Sequence, residues 1–202
     1  MSIFILYFVI SINKTNFMKT LLIVLLSFIP WLQLFAPEIS KEEKENKIKT
    51  FLIQLENESL YNQMIEHIKI SEGKMLKRYK CPAGQPTIGY GHLILPGEYF
   101  STITEEQADS LLRIDFNSRL ENVDKTLSYN KRLAIAHFIY NLGIGAYNKS
   151  KLKKAIDNKE PIDNLIVRYC HYRVNGDYIK STHLLKSRLF ELKLFNYKYQ
   201  NI

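Results

Sequence analysis

Apolar residues recur at helical spacing through most of the chain beyond residue 40. Ile48, Phe51, Leu52 and Leu55 stand at roughly i, i+3, i+4 and i+7 in the otherwise charged stretch 41–58, which predicts a stalk-like helix. Met64, Ile65 and Ile68 continue that spacing through 59–70, and Gly73 is a helix stop just beyond them. Between Pro82 and Gly91 the periodicity breaks: glycines and prolines punctuate Thr87-Ile88 and Tyr90, the mark of a small hairpin or two short strands. Thr104-Glu105-Glu106-Gln107 is a capping box opening a long helix with Ala108, Leu111, Leu112, Phe116, Leu120, Val123 and Leu127 on its apolar face. Residues 133–142 are apolar almost all round, a buried helix ended by Gly143. Pro161 suits the first turn of another helix with Ile162, Leu165, Ile166 and Tyr169 inward, and 182–195 forms the last one. The pattern predicts an α+β fold, a small lobe with a hairpin followed by an all-helical lobe.

The N-terminus follows a different rule. Lys14 and Lys19 precede an apolar run over 21–36, and no acidic residue occurs before Glu38. A basic flank ahead of such a run describes an export segment with its N-terminus left in the cytoplasm. No small-x-small cleavage site stands at its end, and Pro37 follows Ala36, so a removed signal peptide and a retained anchor over 18–36 both remain open. Met18 would give a cleaner start than Met1, which makes 1–17 an extension of doubtful meaning. The expected domains are therefore a signal or anchor at 1–37, a charged stalk at 38–58 and a globular domain at 59–202.

Charge is divided along the 202 residues, whose net charge is +8. Residues 1–130 carry 14 Lys and Arg against 15 Asp and Glu, whereas residues 131–202 carry 14 against 5. A basic C-terminal third attracts polyanions such as nucleic acid, acidic lipid or an anionic cell wall, although a solvated lysine face explains it equally. Two cysteines, Cys81 and Cys170, are too few for a disulfide framework and lack metal-ligand spacing. Neither a Walker loop, a dinucleotide fingerprint nor an HExxH motif is present.

Chemistry concentrates in 71–92, SEGKMLKRYKCPAGQPTIGYGH. Glu72 at a helix end beside a hairpin is a workable general acid, since splitting a glycosidic bond needs one carboxyl to protonate the leaving oxygen. A second group must serve the opposite sugar face, and no second carboxylate is offered. Glu72, Gly73, Tyr79, Gly84, Thr87, Ile88, Gly89, Gly91 and His92 together resemble the active-site segment of the phage-type lysozymes, glycoside hydrolase family twenty-four. ITEEQADSLLRIDF, FIYNLGIGAY and HLLKSRLFELKLF resemble further helices of that family, with His183 and Ser187 departing from its usual residues. The likeness covers about residues 60–196.

The resemblance implies two lobes joined by a long helix, with hydrolysis of the bond between N-acetylmuramic acid and N-acetylglucosamine in peptidoglycan in the cleft between them. It makes Glu72 the general acid and Thr87 an aid to the attacking water, and it puts Cys81 where many relatives carry a water-orienting Asp. His92, Gly89 and Gly91 take structural roles, Arg188 joins helices or supports the cleft or the wall contact, and Tyr90 lines the sugar cleft; Asn141 either lines that cleft too or caps or braces a helix. No metal or cofactor is required, no nucleic acid is implied, a monomer is expected, and the basic lobe would hold the anionic wall. Cys81 has three open readings: a thiol replacing the Asp, a spectator, or a disulfide partner of Cys170 or another thiol. Cys170 itself reads as a buried small apolar residue. A Cys81–His92 peptidase dyad lacks the helix N-terminus such nucleophiles use. The competing class is an inactive, wall-binding or anchored protein on a lysozyme scaffold.

Overall fold

The computed structural model describes residues 40–81, 84–174 and 177–199, with Arg173 and Val174 as backbone alone. The expected signal or anchor at 1–37 lies outside the described residues. Among the described residues no helix is long and apolar enough to cross a membrane. The chain divides into two compact units, Met1–Phe51 and Leu52–Ile202.

Stalk and first domain helix are one element, α1 (Lys41–Glu72). No glycine or proline interrupts residues 41–72, so the propensity of the polar segment and the packing of the apolar one extend the same helix. Its first turns are exposed and carry surface pairs such as Glu43–Lys47 at 2.9 Å. Leu60, Met64, Ile65 and Ile68 are buried, and Gly73, at φ +72°, stops the helix immediately after Glu72. Glu56 and Asn57 accept hydrogen bonds from the hydroxyls of Tyr197 and Tyr199, so the globular body takes in residues assigned above to the stalk.

Three antiparallel strands follow, in the order β1 (Met75–Lys80), β2 (Pro86–Gly89) and β3 (His92–Leu93). The register sets Tyr79 opposite Thr87 and Ile88 opposite His92. Ile88, Ile94, Ile103 and Ala108 form the small core of this lobe.

Helix α2 (Glu105–Glu121) begins at the expected capping box: Thr104 Oγ1 accepts from Gln107 N, and Gln107 Oε1 accepts from Thr104 N. It gives Ala108 to the small core and Leu112, Phe116 and Leu120 to the large one, and so joins the two lobes. It ends at Glu121 rather than near Leu127, because Asn122 caps it and the Asp124 carboxylate takes the Thr126 N–H into a local turn.

The large core surrounds α3 (Tyr129–Leu142), whose residues Leu133 to Ile139 are all buried and whose end is set by Gly143 at φ +82°. The helices α4 (Ile144–Asn148), α5 (Lys151–Asp157) and α6 (Asp163–Ile166) and a 3-10 turn (Val167–Tyr169) wrap it, and α7 (Thr182–Phe195) packs along α3. This lobe is not all-helical as expected, since β4 (His171–Val174) and β5 (Asp177–Lys180) form a separate two-stranded sheet.

Candidate active site

Glu72 owes its position to the last turn of α1. Asn141, on the last turn of α3, donates from Nδ2 to Glu72 Oε1 at 3.1 Å. Arg188 of α7 is wholly buried and donates from Nη2 to Asn141 Oδ1 at 2.6 Å. The same Nη2 reaches Glu191 Oε1 at 2.6 Å, and His137 Nδ1 reaches that oxygen at 2.7 Å. Five side chains from three helices thus form one hydrogen-bonded line ending on the carboxyl of Glu72. Arg188 was expected to be structural or to support the cleft or the wall contact, and Asn141 to meet the glycan or brace a helix; Asn141 bonds Glu72, and Arg188 bonds Asn141. Both His137 and Glu191 are 0% exposed; Glu191 lies in the HLLKSRLFELKLF string that resembles the family's closing helix, whereas His137 carries no local signal, and their pairing spans 54 positions.

On the other side the β1–β2 turn is tied at Cys81, whose N–H donates to Gln85 O at 2.9 Å while its carbonyl accepts from Gly84 N at 2.8 Å. Cys81 is half-buried, and Cys170 is a buried thiol with its sulfur 3.6 Å from His171 Nδ1. Lys77, Arg78 and Lys80 are exposed. Thr87 is buried and its hydroxyl donates to Gln85 O at 3.0 Å, which leaves its oxygen lone pairs to accept. Tyr79, on β1, is half-buried. Burial raises its hydroxyl above the usual tyrosine range, and the nearby Cys81 and then Glu72 push it the same way. Tyr79 therefore has both groups within electrostatic reach.

Tyr90 packs partly into both cores, and its carbonyl accepts from Tyr140 Oη at 2.7 Å. Gly89 and Gly91 hold φ of +67° and +92°, the left-handed conformations expected of them; a Cβ on Gly89 would also lie 3.6 Å from that of Ala108. His92 is buried between two carboxylates, with Nδ1 2.9 Å from Asp115 Oδ2 and Nε2 3.1 Å from Glu98 Oε2. The Leu95 N–H, and then His92, hold the Glu98 carboxyl below its usual range. His92 thereby ties β3 to Asp115 of α2. Asp115 lies in the ITEEQADSLLRIDF string that resembles a helix of the family, whereas Glu98 had no signal in the sequence apart from being an acid.

His67 lies one turn before the end of α1, stacked on Phe190 at 4.0 Å and edge-on to His137 at 5.2 Å. Burial, and then the charges of His137, His183 and Arg188, lower it from 6.5 to about 4. The unfolded chain binds this proton first as pH falls, so the neutral ring's contribution is complete above the unfolded value and is lost between about 6.5 and about 4. A shift of this size is worth at most about 3 kcal/mol, and nearer ~2 after allowing for the ring's partial exposure. His67→Phe, which keeps the stack, is expected to lose about 2 kcal/mol less stability than the parent between pH 7 and pH 4. Urea midpoints at the two pH values measure this; equal losses would contradict it.

Comparison with known proteins agrees with this geometry. An endolysin of Acyrthosiphon pisum secondary endosymbiont phage 1 is 33% identical over 136 residues, covering 63% of this chain and 91% of that protein. An endolysin of Bacillus phage PZA is 37% identical over 94 residues, 44% of this chain, but the chain spans only 36% of that longer protein. Among solved structures, the muramidase domain of SpmX from Asticaccaulis excentricus superposes with a TM-score of 0.60 at 27% identity, over 67% of this chain and 96% of that one. The family model for phage lysozyme matches residues 69–188, from the last turn of α1 to Arg188 itself, and the chain belongs to the phage lysozyme family.

Proposed function

We propose that this chain is a muramidase, hydrolysing the β-1,4 bond between N-acetylmuramic acid and N-acetylglucosamine in peptidoglycan. The observation that carries the reading is Glu72, inside the segment matched by the family model, its carboxyl held by Asn141 at 3.1 Å, with Tyr79 within electrostatic reach of both Glu72 and Cys81. Glu72 gives its proton to the glycosidic oxygen as the bond from that oxygen to C1 breaks. A water adds to C1 from the opposite face and releases a proton, so the products are two sugar ends and a carboxylate that reprotonates from solvent. Thr87, with lone pairs free to accept, and Cys81 orient that water. Net charge in the C-terminal third concentrates the enzyme on an anionic wall, and the 18–36 segment takes the domain out of the cytoplasm, as a removed signal or as an anchor.

Turbidity of purified peptidoglycan tests the reading, with Glu72→Gln as control. Parent and control equally inert, yet both sedimenting with the wall, would establish the scaffold alternative instead. The role of Cys81 has its own test. Cys81→Ala is expected to lower kcat about tenfold with KM unchanged, whereas Cys81→Asp retains activity. Full activity in the alanine variant would leave the thiol a spectator.

A further inference from the structure

The buried end of the line behind Glu72 is more elaborate than support for a helix end requires. Arg188 is fully buried beside a catalytic carboxyl, with one amide between them. An unneutralised guanidinium there would pair with Glu72 and hold it as a carboxylate, the wrong form for a proton donor. We propose that Glu191 is a positioning residue for the reaction: it takes up the charge of Arg188, so that the guanidinium orients the Asn141 amide instead of pairing with Glu72. This rests on the muramidase reading above.

Hydrogen accounting supports it. Arg188 Nη2 carries two hydrogens, and its two 2.6 Å contacts, to Asn141 Oδ1 and Glu191 Oε1, use both. With Asn141 Oδ1 accepting from the guanidinium, the amide has one orientation left, Nδ2 toward Glu72 Oε1. Because Oε1 receives an N–H, the acidic hydrogen of Glu72 resides on Oε2. The relay therefore selects which oxygen delivers the proton. Glu191 Oε1 also faces His137 Nδ1 at 2.7 Å, which places that ring's hydrogen on Nδ1 and adds a second donor to hold the carboxylate still.

The other groups around Arg188 leave Glu191 as its partner in charge. From α1 it meets His67, kept neutral over most of the pH range by burial. From α3 it meets the Phe138 face at 4.6 Å, an uncharged contact, together with Asn141. Burial lowers the guanidinium below its ordinary range, opposed first by Glu191 on its own helix and then by Cys170 in the turn before β4. His183, on the first turn of α7, acts on His67. Among the described residues Glu72 acts electrostatically on Tyr79 of β1, which Cys81 also influences, and on Tyr140 of α3.

The test is the pH dependence of kcat and KM on purified peptidoglycan, read at equal folded fraction by circular dichroism. Glu191→Gln exposes Glu72 to the Arg188 charge: the alkaline fall in kcat is expected to begin at lower pH, with kcat at pH 7 down about tenfold and KM unchanged. Arg188→Gln is expected to move that fall the opposite way, and the double variant to return it to the parent position. A purely structural role would shift both single variants alike or neither. If Glu191→Gln does not fold, Arg188→Gln and the double variant, which buries no lone charge, still decide the matter. Superimposable profiles, or a double variant that keeps the shift of a single one, would overturn the proposal. A parent chain without glycosidase activity would instead sink the muramidase reading.

Discussion

Glu72→Gln is expected to lower kcat on peptidoglycan by about 10³-fold while leaving KM within about threefold, the mark of an interaction made only in the transition state. The amide is nearly isosteric with the acid. Its oxygen can accept from Asn141 Nδ2 as Glu72 Oε1 does at 3.1 Å, which puts the NH2 where the acidic hydrogen stood. That group still donates a hydrogen bond to the glycosidic oxygen, so binding survives, but it has no proton to transfer. Glu72 is exposed at a helix end, and the thermal midpoint should therefore change little. A kcat within tenfold of the parent would remove Glu72 from the acid's role, and a collapse of stability would make the rate loss uninformative.

What the sequence makes legible depends on how local each determinant is. The α2 start is written in Thr104 and Gln107, three residues apart, and the structure forms both reciprocal bonds. Glycines 73 and 143 mark helix ends because positive φ is a local requirement. Both 41–58 and 59–70 read as helical, but the shift from charged to apolar composition put a stalk boundary between them, while the absence of glycine or proline lets one helix run through both. The β4–β5 pair was hidden behind exposed, polar strands, although Asn175-Gly176 between them is a hairpin signal. In the site, Glu72 and Thr87 share one contiguous motif and could be found together. The line from Glu72 to His137 could not, because its bonds span 69, 47 and 54 positions and depend on α7 lying against α3. The closing-helix string placed Arg188 and Glu191 on one helix but carried no sign of their link to Glu72.

Phe116→Ala is expected to destabilise the fold by about 3–5 kcal/mol, lowering the thermal midpoint by about 10 °C, and to reduce activity even where the variant is fully folded. Phe116 is 0% exposed on α2, the helix shared by both cores. Its ring meets Tyr61 of α1 edge-on at 5.9 Å and Tyr140 of α3 at 6.5 Å. α1 ends in Glu72. Tyr140 reaches in the other direction, donating to the Tyr90 carbonyl just after the strand that carries Thr87. One aromatic ring therefore supports both the helix that ends in Glu72 and, through Tyr140, the backbone just after the strand that carries Thr87. Truncation removes the ring's contacts and leaves a void between three helices that cannot all close on it. Tyr140→Phe separates the two consequences: it deletes only the bond to Tyr90, at about 1 kcal/mol, and keeps the packing. If the joint matters to catalysis, Phe116→Ala loses more kcat than Tyr140→Phe at a temperature where both are folded. Equal rates would restrict Phe116 to stability, and a stability loss below about 1 kcal/mol would mean that the two cores do not depend on α2 as their shared wall.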